Sequence, residues 1–395
     1  MKEMQVRERF VCRPVLAQRS QTGFSLIELM VASAIGLMIM AAILTLYLNV
    51  VRTNEELAKT NALVENGRFA IQLLQDDIAH AGFWDGYMPD FEDLTLPVAQ
   101  APSDIFTSAP NLCLKFDSWT GGDYFKRRLG VAVQVHQSNT VPTGCADVVK
   151  NRKNDTDILV VRHASTCTFG DAECGVYESG DLNFQSSRCD EDEDAGGNQI
   201  KYVLTKGDEE LHELDCVTPV AKRRFIYNIY YVRDYAVTVG DGIPTLVRSG
   251  FGLDGVADQT PDALIEGVER FRVELGVDHV SDDGIDIVAS TGANNYKSAV
   301  KWKDPDVLDS PVNRGDGSPD KFVNCGGGCS VDNLVNVVAV KLHVLVRSQT
   351  ATQGYSDGKT YSLGGQTFSP NDGFKRHLFS TVVRLNNVAG RRETP

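Results

Sequence analysis

Gly23 to Val51 reads GFSLIELMVASAIGLMIMAAILTLYLNVV, and from Phe24 onward its 28 residues carry one charged side chain, Glu28. About 20 apolar residues are enough to cross the hydrocarbon core of a bilayer as a helix. No second stretch of this kind follows, so the pattern predicts a single span. The residues before it are polar and basic, with Lys2, Arg7, Arg9, Arg13 and Arg19 against Glu3 and Glu8. Basic residues ahead of a span place the N-terminus in the cytoplasm and the body of the chain on the far side. An ordinary secretory signal ends its apolar stretch in a small-residue cleavage site. Here Arg52-Thr53-Asn54-Glu55-Glu56 follows, and the small residue, Gly23, stands before the helix instead. Cleavage after Gly23 would release the basic leader and keep the helix.

The rest of the chain is that of a folded protein. Its 395 residues are 42% hydrophobic and 23% charged, with a net charge of −14 and nine cysteines. Those fractions exclude global disorder. The acidic balance argues against nucleic acid, whose binding needs a basic face. A mean hydropathy of −0.19 excludes a protein with many membrane spans.

Glu28 admits two readings. It is either an interfacial glutamate that suits the positive end of a helix, or a functional carboxylate, since burying an unpaired charge in apolar surroundings is expensive. If Phe24 becomes the N-terminus, its ammonium and Glu28 form an opposite-charge pair four residues apart. In a stack of helices, Glu28 could equally neutralise the ammonium of a neighbouring subunit and so select axial register.

Helical spacing continues past Val51, through Leu57, Val64, Ile71, Leu74, Ile78 and Ala81, with Leu63, Ala70 and Leu73 beside them. This predicts one helix from Phe24 to Ala81, about 87 Å long at 1.5 Å per residue. Gly67 is its weak point and Gly82 its stop. No proline lies between Pro14 and Pro89, so nothing kinks it. Beyond Gly82, six stretches read as strands: 158–163, 224–232, 245–248, 268–277, 335–346 and 375–385. Thr360–Leu363 and Gln366–Phe368, joined by Gly364-Gly365, read as a hairpin.

Thr22-Gly23-Phe24-Ser25-Leu26-Ile27-Glu28-Leu29-Met30-Val31 resembles the class III signal of type IV prepilins and pseudopilins. Gly67-Arg68 at one end of the helical stretch and Ala81-Gly82-Phe83 at the other resemble PilW-type minor pilins. So does the order of 265–271, 338–347 and 377–385, which is also similar to J-type pseudopilins of type II secretion. Family membership implies that a prepilin peptidase cuts between Gly23 and Phe24 and methylates the Phe24 amine, with Glu28 serving assembly. It implies an α+β pilin-like fold: a long N-terminal helix, its first half transmembrane, packed on an antiparallel sheet head with a disulfide-rich insertion. The expected divisions are a leader at 1–23, a transmembrane or filament-core helix at 24–51, and its amphipathic continuation at 52–82. A cysteine-rich insertion at 83–220 and the sheet-forming part of the head at 221–395 follow. Met4 is an alternative start.

The implied function is that of a minor pilin in an initiation or tip complex, supporting twitching motility or adhesion. Its partners would be other minor pilins, the major pilin, the peptidase, the inner-membrane assembly platform and a tip adhesin. The chain would wait in the inner membrane with its head in the periplasm before entering the pilus. A J-type pseudopilin is the alternative within the superfamily, and a tip adhesin-binding module the alternative outside it.

Cleavage after Gly23 would remove five basic and two acidic residues, taking the net charge from −14 to −17, and would remove Cys12. Eight cysteines remain: Cys113, Cys145, Cys167, Cys174, Cys189, Cys216, Cys325 and Cys329. In an oxidising compartment they read as up to four disulfides, with nearest-neighbour pairing expected from 105 possible connectivities. Zinc is the rival reading, although Cys325 and Cys329 with the other thiols make no compelling ligand set. The acidic run Asp190–Asp194 and the cluster Asp278, Asp282, Asp283 and Asp286 could offer oxygen ligands to calcium. Neither has the spacing of a calcium loop, and solvated loops are the expectation. Gly250-Phe251-Gly252-Leu253-Asp254-Gly255 fits a dinucleotide glycine pattern, but its acids would repel a pyrophosphate and Pro261 blocks a long helix. Gly354-Tyr355-Ser356-Asp357-Gly358 fits a nucleophile elbow without the helix that must follow. No metal, cofactor or enzymatic activity is therefore expected.

Overall fold

The computed structural model describes residues 23–95, 100–114, 116–119, 128–172, 174–177, 182–250, 261–308, 310–326 and 328–393. Residues 1–22 of the leader, with Met4 and Cys12, most of the 250–255 glycine pattern, and Gly327 lie outside the described residues. The chain divides into two compact units, one ending at Leu57 and the other beginning at Ala58. Helix α1, Leu26–His80, is continuous as its lack of proline requires.

Within the second unit, α1 buries Leu63, Gly67, Ala70, Leu74 and Ile78, spaced by three and four residues. They join Phe271, Val273, Val340, Leu342 and Val383 in one core. The buried stripe is thus centred one residue before the one expected, with Val64, Ile71 and Leu73 at its margin and Leu57 exposed. Gly67 explains the rotation. A methyl group there would overlap the Phe379 ring, so the expected weak point is the place where helix and sheet come closest. Gly82, at φ +76°, ends the helix. Asn387 Nδ2 donates to the carbonyls of Ala79, His80 and Ala81, and Arg391 Nη2 to that of Gly82, satisfying acceptors the helix end leaves open.

Among the described residues, thirteen strands form the head. In chain order they are β1 Val133–His136, β2 Ile158–Ala164, β3 Asn183–Ser186, β4 Tyr202–Thr205, β5 Arg223–Arg233, β6 Thr245–Gly250 and β7 Asp262–Glu266. After these come β8 Val268–Val277, β9 Lys321–Val323, β10 Val337–Arg347, β11 Tyr361–Leu363, β12 Gln366–Phe368 and β13 Arg376–Arg384. Among the described residues, the short helices α2 Val331–Val335 and α3 Asn386–Arg392 flank β10 and β13. Strands β13-β10-β8-β9 make an antiparallel sheet under α1. The first seven strands make the other large sheet, with β5 paired to β2 on one side and, at opposite ends of its other side, to β3 and to β6, which carry β4 and β7 in turn.

The long strands lie where the apolar runs place them. β10 starts at Val337 rather than Val335, because Ser330 Oγ accepts from Asn333 N and caps α2 just before it. The segment 83–220 supplies β1 to β4 and much of a second core, in which Trp84, Phe184, Phe225 and Tyr231 are almost wholly buried. It is therefore built into the sheet around β5. Disulfides join Cys113–Cys145, Cys167–Cys174, Cys189–Cys216 and Cys325–Cys329, each cysteine with its sequence neighbour among the eight.

Polar ties lock these layers. Asp77 of α1 accepts from His163 Nε2 at 3.0 Å and from Asn228 Nδ2 at 3.0 Å, tying the helix to β2 and β5. Burial pushes the Asp77 pKa up, but His163, Asn228 and Tyr230 more than reverse this and hold it below its ordinary 3.8. Arg376 is fully buried against Glu269, at 2.6 Å and 3.1 Å, and also meets Asp357 and Asp372. Gly267 joins β7 to β8 at φ +84°, and a Cβ there would strike the Arg347 carbonyl oxygen.

Two outcomes follow. Gly267→Ala combines a left-handed backbone with a clash against main chain and should cost about 2 kcal/mol or more, read as a lower thermal midpoint. A midpoint unchanged within a degree would contradict this packing. Asp77, ionised with a depressed pKa, contributes stability that is complete above pH 3.8 and lost as pH falls through its folded value. Asp77→Asn should flatten the acid limb of the stability profile below pH 3.8, and a wild-type acid limb would count against the assignment.

Candidate assembly site

From Leu26 to Val50, α1 is apolar with its large side chains uncovered. Every large apolar residue from Leu26 to Val50 is exposed, from 46% at Leu48 to 78% at Leu26, on all sides of the helix. Its most apolar 18-residue window has a mean hydropathy of 2.4. A helix apolar all round belongs in lipid or in the interior of a larger assembly. Its few polar side chains are satisfied within it: Ser33 Oγ donates to Met30 O, and Thr45 Oγ1 to Ala42 O. No backbone or hydroxyl group named here needs water, which is the condition for residence in hydrocarbon.

The start of this helix is built from four residues. Gly23, Phe24 and Ser25 precede the first helical turn and are exposed, Phe24 by 88%. A Cβ placed on Gly23 would meet nothing within 4 Å. Ser25 N donates to Glu28 Oε2 at 2.9 Å, while Glu28 N donates to Ser25 Oγ at 3.2 Å. The reciprocal pair is a capping box, which satisfies two donors that a helix start leaves open. Sequence reasoning missed it, although Ser25-x-x-Glu28 before an apolar run is its signature. Glu28 thus has a partner within the chain and remains exposed to a neighbouring one.

The other candidates are occupied differently. Asp192 holds His212 Nδ1 at 2.7 Å and Ser187 Oγ at 2.6 Å, and Asp194 accepts from Gly196 N and Asn198 N. In the second acidic cluster, Asp278 is buried against Arg392 and Gly317 N, Asp283 pairs with Lys303, and Asp286 accepts from Val288 N and Ala289 N. Burial pushes the Asp278 pKa up to about 6, against the pull of Arg392. These carboxylates shape loops and the α3 contact. Among the described residues, no group of three His, Cys, Asp or Glu side chains is placed to hold a metal ion. Ser356 lies in a turn region followed by β11, so the strand-to-helix turn of a nucleophile elbow is not formed.

Residues 229–387 match a family model described as type IV pilus-assembly protein W, and residues 18–44 match the prokaryotic N-terminal methylation motif. No curated protein matches the chain. Among solved structures, the chain is similar to a type IV-like pilin from Thermus thermophilus at 15% identity and a TM-score of 0.24, covering 65% of this chain and 84% of that one. The family assignment rests on the two sequence matches.

Replacing Ser25 by Ala removes the hydroxyl half of the capping box, a loss worth about 1 kcal/mol at a helix start. In detergent micelles the Glu28 amide should exchange with solvent several-fold faster, while amides beyond Val31 keep their protection. Equal exchange at Glu28 would show that the box does not form.

Proposed function

The chain belongs to the PilW family of type IV pilus-assembly proteins, and from that premise we propose that it is a minor pilin of the pilus initiation or tip complex. One observation carries the reading: the N-terminal methylation motif opens a helix whose apolar side chains are uncovered on every side. Such a surface is stable in a bilayer or against similar helices. Burying each leucine-sized side chain is worth about 1.5–3 kcal/mol, so transfer from lipid to a filament replaces one apolar environment with another. The protein would work as a structural component, without catalysis or cofactor.

In this mechanism a prepilin peptidase cuts after Gly23 and methylates the Phe24 amine. Before assembly the helix sits in the inner membrane, N-terminus cytoplasmic and head periplasmic. The Phe24 ammonium and the Glu28 carboxylate then guide docking against other minor pilins, the major pilin and the assembly platform. A charge left alone among apolar helices is costly, so register errors that separate the pair are disfavoured. The capping box supports an orderly exchange: Glu28 keeps the Ser25 amide as partner until an ammonium arrives. The head with its four disulfides would then make lateral or tip contacts, including any with a tip adhesin.

Gly23→Val should leave a precursor 23 residues longer than the mature chain, resolved by gel and mass spectrometry. Normal maturation of this variant would put the cleavage site elsewhere. In the wild type, mass spectrometry of sheared pili should find the protein at low copy with N-methylated Phe24 at its terminus. Deleting the gene should remove surface pili and twitching. Loss of exoprotein secretion with pili intact would instead identify a J-type pseudopilin, and loss of adhesion alone an adhesin-binding module.

A further inference from the structure

The sheet β13-β10-β8-β9 ends in two unequal edges. β9 has three residues, whereas β13 has nine and pairs on one side only, with β10. Natural sheets guard a long edge with proline, charge or a bulge, because its free main-chain groups would otherwise pair with another chain. β13 has none of these across its middle. Leu378-Phe379-Ser380-Thr381-Val382-Val383 is uncharged and free of proline, and its register with β10 runs unbroken from Arg376 to Arg384. The β8–β10 ladder beside it is shifted twice.

The direction of each main-chain group follows from the two ends of the β10–β13 ladder. Leu385 N donates to the Val338 carbonyl at 2.9 Å and Ser348 N to the Lys375 carbonyl at 2.8 Å, so the odd-numbered residues of β13 face β10. Alternation then turns the N–H and C=O groups of Leu378, Ser380, Val382 and Arg384 to the open side. Among the described residues, none of these main-chain groups has a hydrogen-bond partner. Ser380, Val382 and Arg384 are also exposed, Val382 by 51%. Such a row of alternating donors and acceptors is matched by another extended main chain.

We propose that the open edge of β13 receives an extended segment of a second protein, about seven residues long and uncharged where it lies along Leu378 to Val383, as a fifth strand of the sheet. Its main chain supplies the hydrogen bonds. β-branched or aromatic side chains on it would pair with Leu378 and Val382, on the face away from α1. A second copy of this chain does not suit the edge. α1 and β13 advance in the same direction, Gly67 beside Phe379 and Gln75 beside Thr381. Two copies joined edge to edge about a two-fold axis pair their strands antiparallel and would run their α1 helices in opposite directions. Single-span chains enter one membrane from the same side. That exclusion rests on the topology of the assembly reading, and the open edge itself does not.

Two measurements test this. In the purified full-length chain in detergent micelles, the amides of Leu378, Ser380, Val382 and Arg384 should exchange at least ~100-fold faster than those of Phe379, Thr381 and Val383. Equal protection would mean that the edge is already covered, and overturns the proposal. In cells, benzoylphenylalanine in place of Val382 should photo-crosslink to a second protein, within a run of about five or more uncharged residues. The same group in place of Val237, exposed by 84% on another loop, should not reach that protein. Ser380→Pro deletes one outward N–H and no bond to β10, and should lower the yield of adduct ~10-fold or more. Ser380→Ala keeps the N–H and should change the yield less than about twofold. Thermal midpoints are read for each variant, and Arg384→Pro, at the strand's end, serves if Ser380→Pro does not fold. An adduct with lipid or with a second copy, a charged partner segment, equal yield at Val237, unchanged yield in the proline variants, or no adduct overturns the proposal. Removal of residues 1–23 is read in the same cells, and the exchange pattern needs no assembly, so failure of the assembly reading shows separately.

Discussion

The head depends on the close approach of α1 to the four-stranded sheet at Gly67. With no side chain on the helix there, the Phe379 ring of β13 occupies the space, and Ala70, Leu74 and Ile78 can follow it into the core. Hydrogen bonds on either side hold the alignment: Gln75 Nε2 reaches Thr381 Oγ1 at 3.2 Å, and Asn66 Nδ2 reaches the Glu266 carbonyl at 3.1 Å. Because packed interiors leave little free volume, one small residue sets the rotation of the helix and hence which side chains are buried.

Around this contact the protein buries an unusual number of arginines for an acidic chain, and most have a defined partner. Arg162 donates to the Val131 carbonyl, Gln134 and Tyr227 while its guanidinium lies against the Tyr227 ring. Arg376 is enclosed by Glu269, Asp357 and Asp372. Arg392 reaches Asp278, Asn336 and the Val335 carbonyl, tying α3 to the end of α2. Buried ion pairs add little net stability compared with apolar packing, but removing one partner leaves a costly charge. Their effect is to make one arrangement of sheets and helices far better than its neighbours.

The apolar half of α1 obeys a different constraint. Its side-chain hydroxyls are satisfied internally and its apolar surface is left whole for lipid or for other helices. The one carboxylate it carries sits where a helix start has unsatisfied amides. Charge and position therefore agree in the isolated chain, and an arriving ammonium competes with a single backbone N–H.

The amino-acid sequence by itself determined the membrane-type helix, its unbroken course to Gly82, the long strands and the likeness to a pilus-assembly family. All of these rest on local properties: hydropathy over 28 residues, the absence of proline, and alternation over nine or more positions. The capping box was equally legible, since its two residues are three apart. Tertiary structure alone decided the rest. Strands β1, β3, β4, β7 and β9 have five residues or fewer, too short for periodicity to signal, and exist because β2, β5, β3, β6 and β8 respectively provide an edge. The tie of Asp77 to His163 and Asn228 joins residues 86 and 151 positions apart. The role of Gly67 was hidden for the same reason: its partner, Phe379, lies on a strand more than 300 residues away, and only folding makes them neighbours.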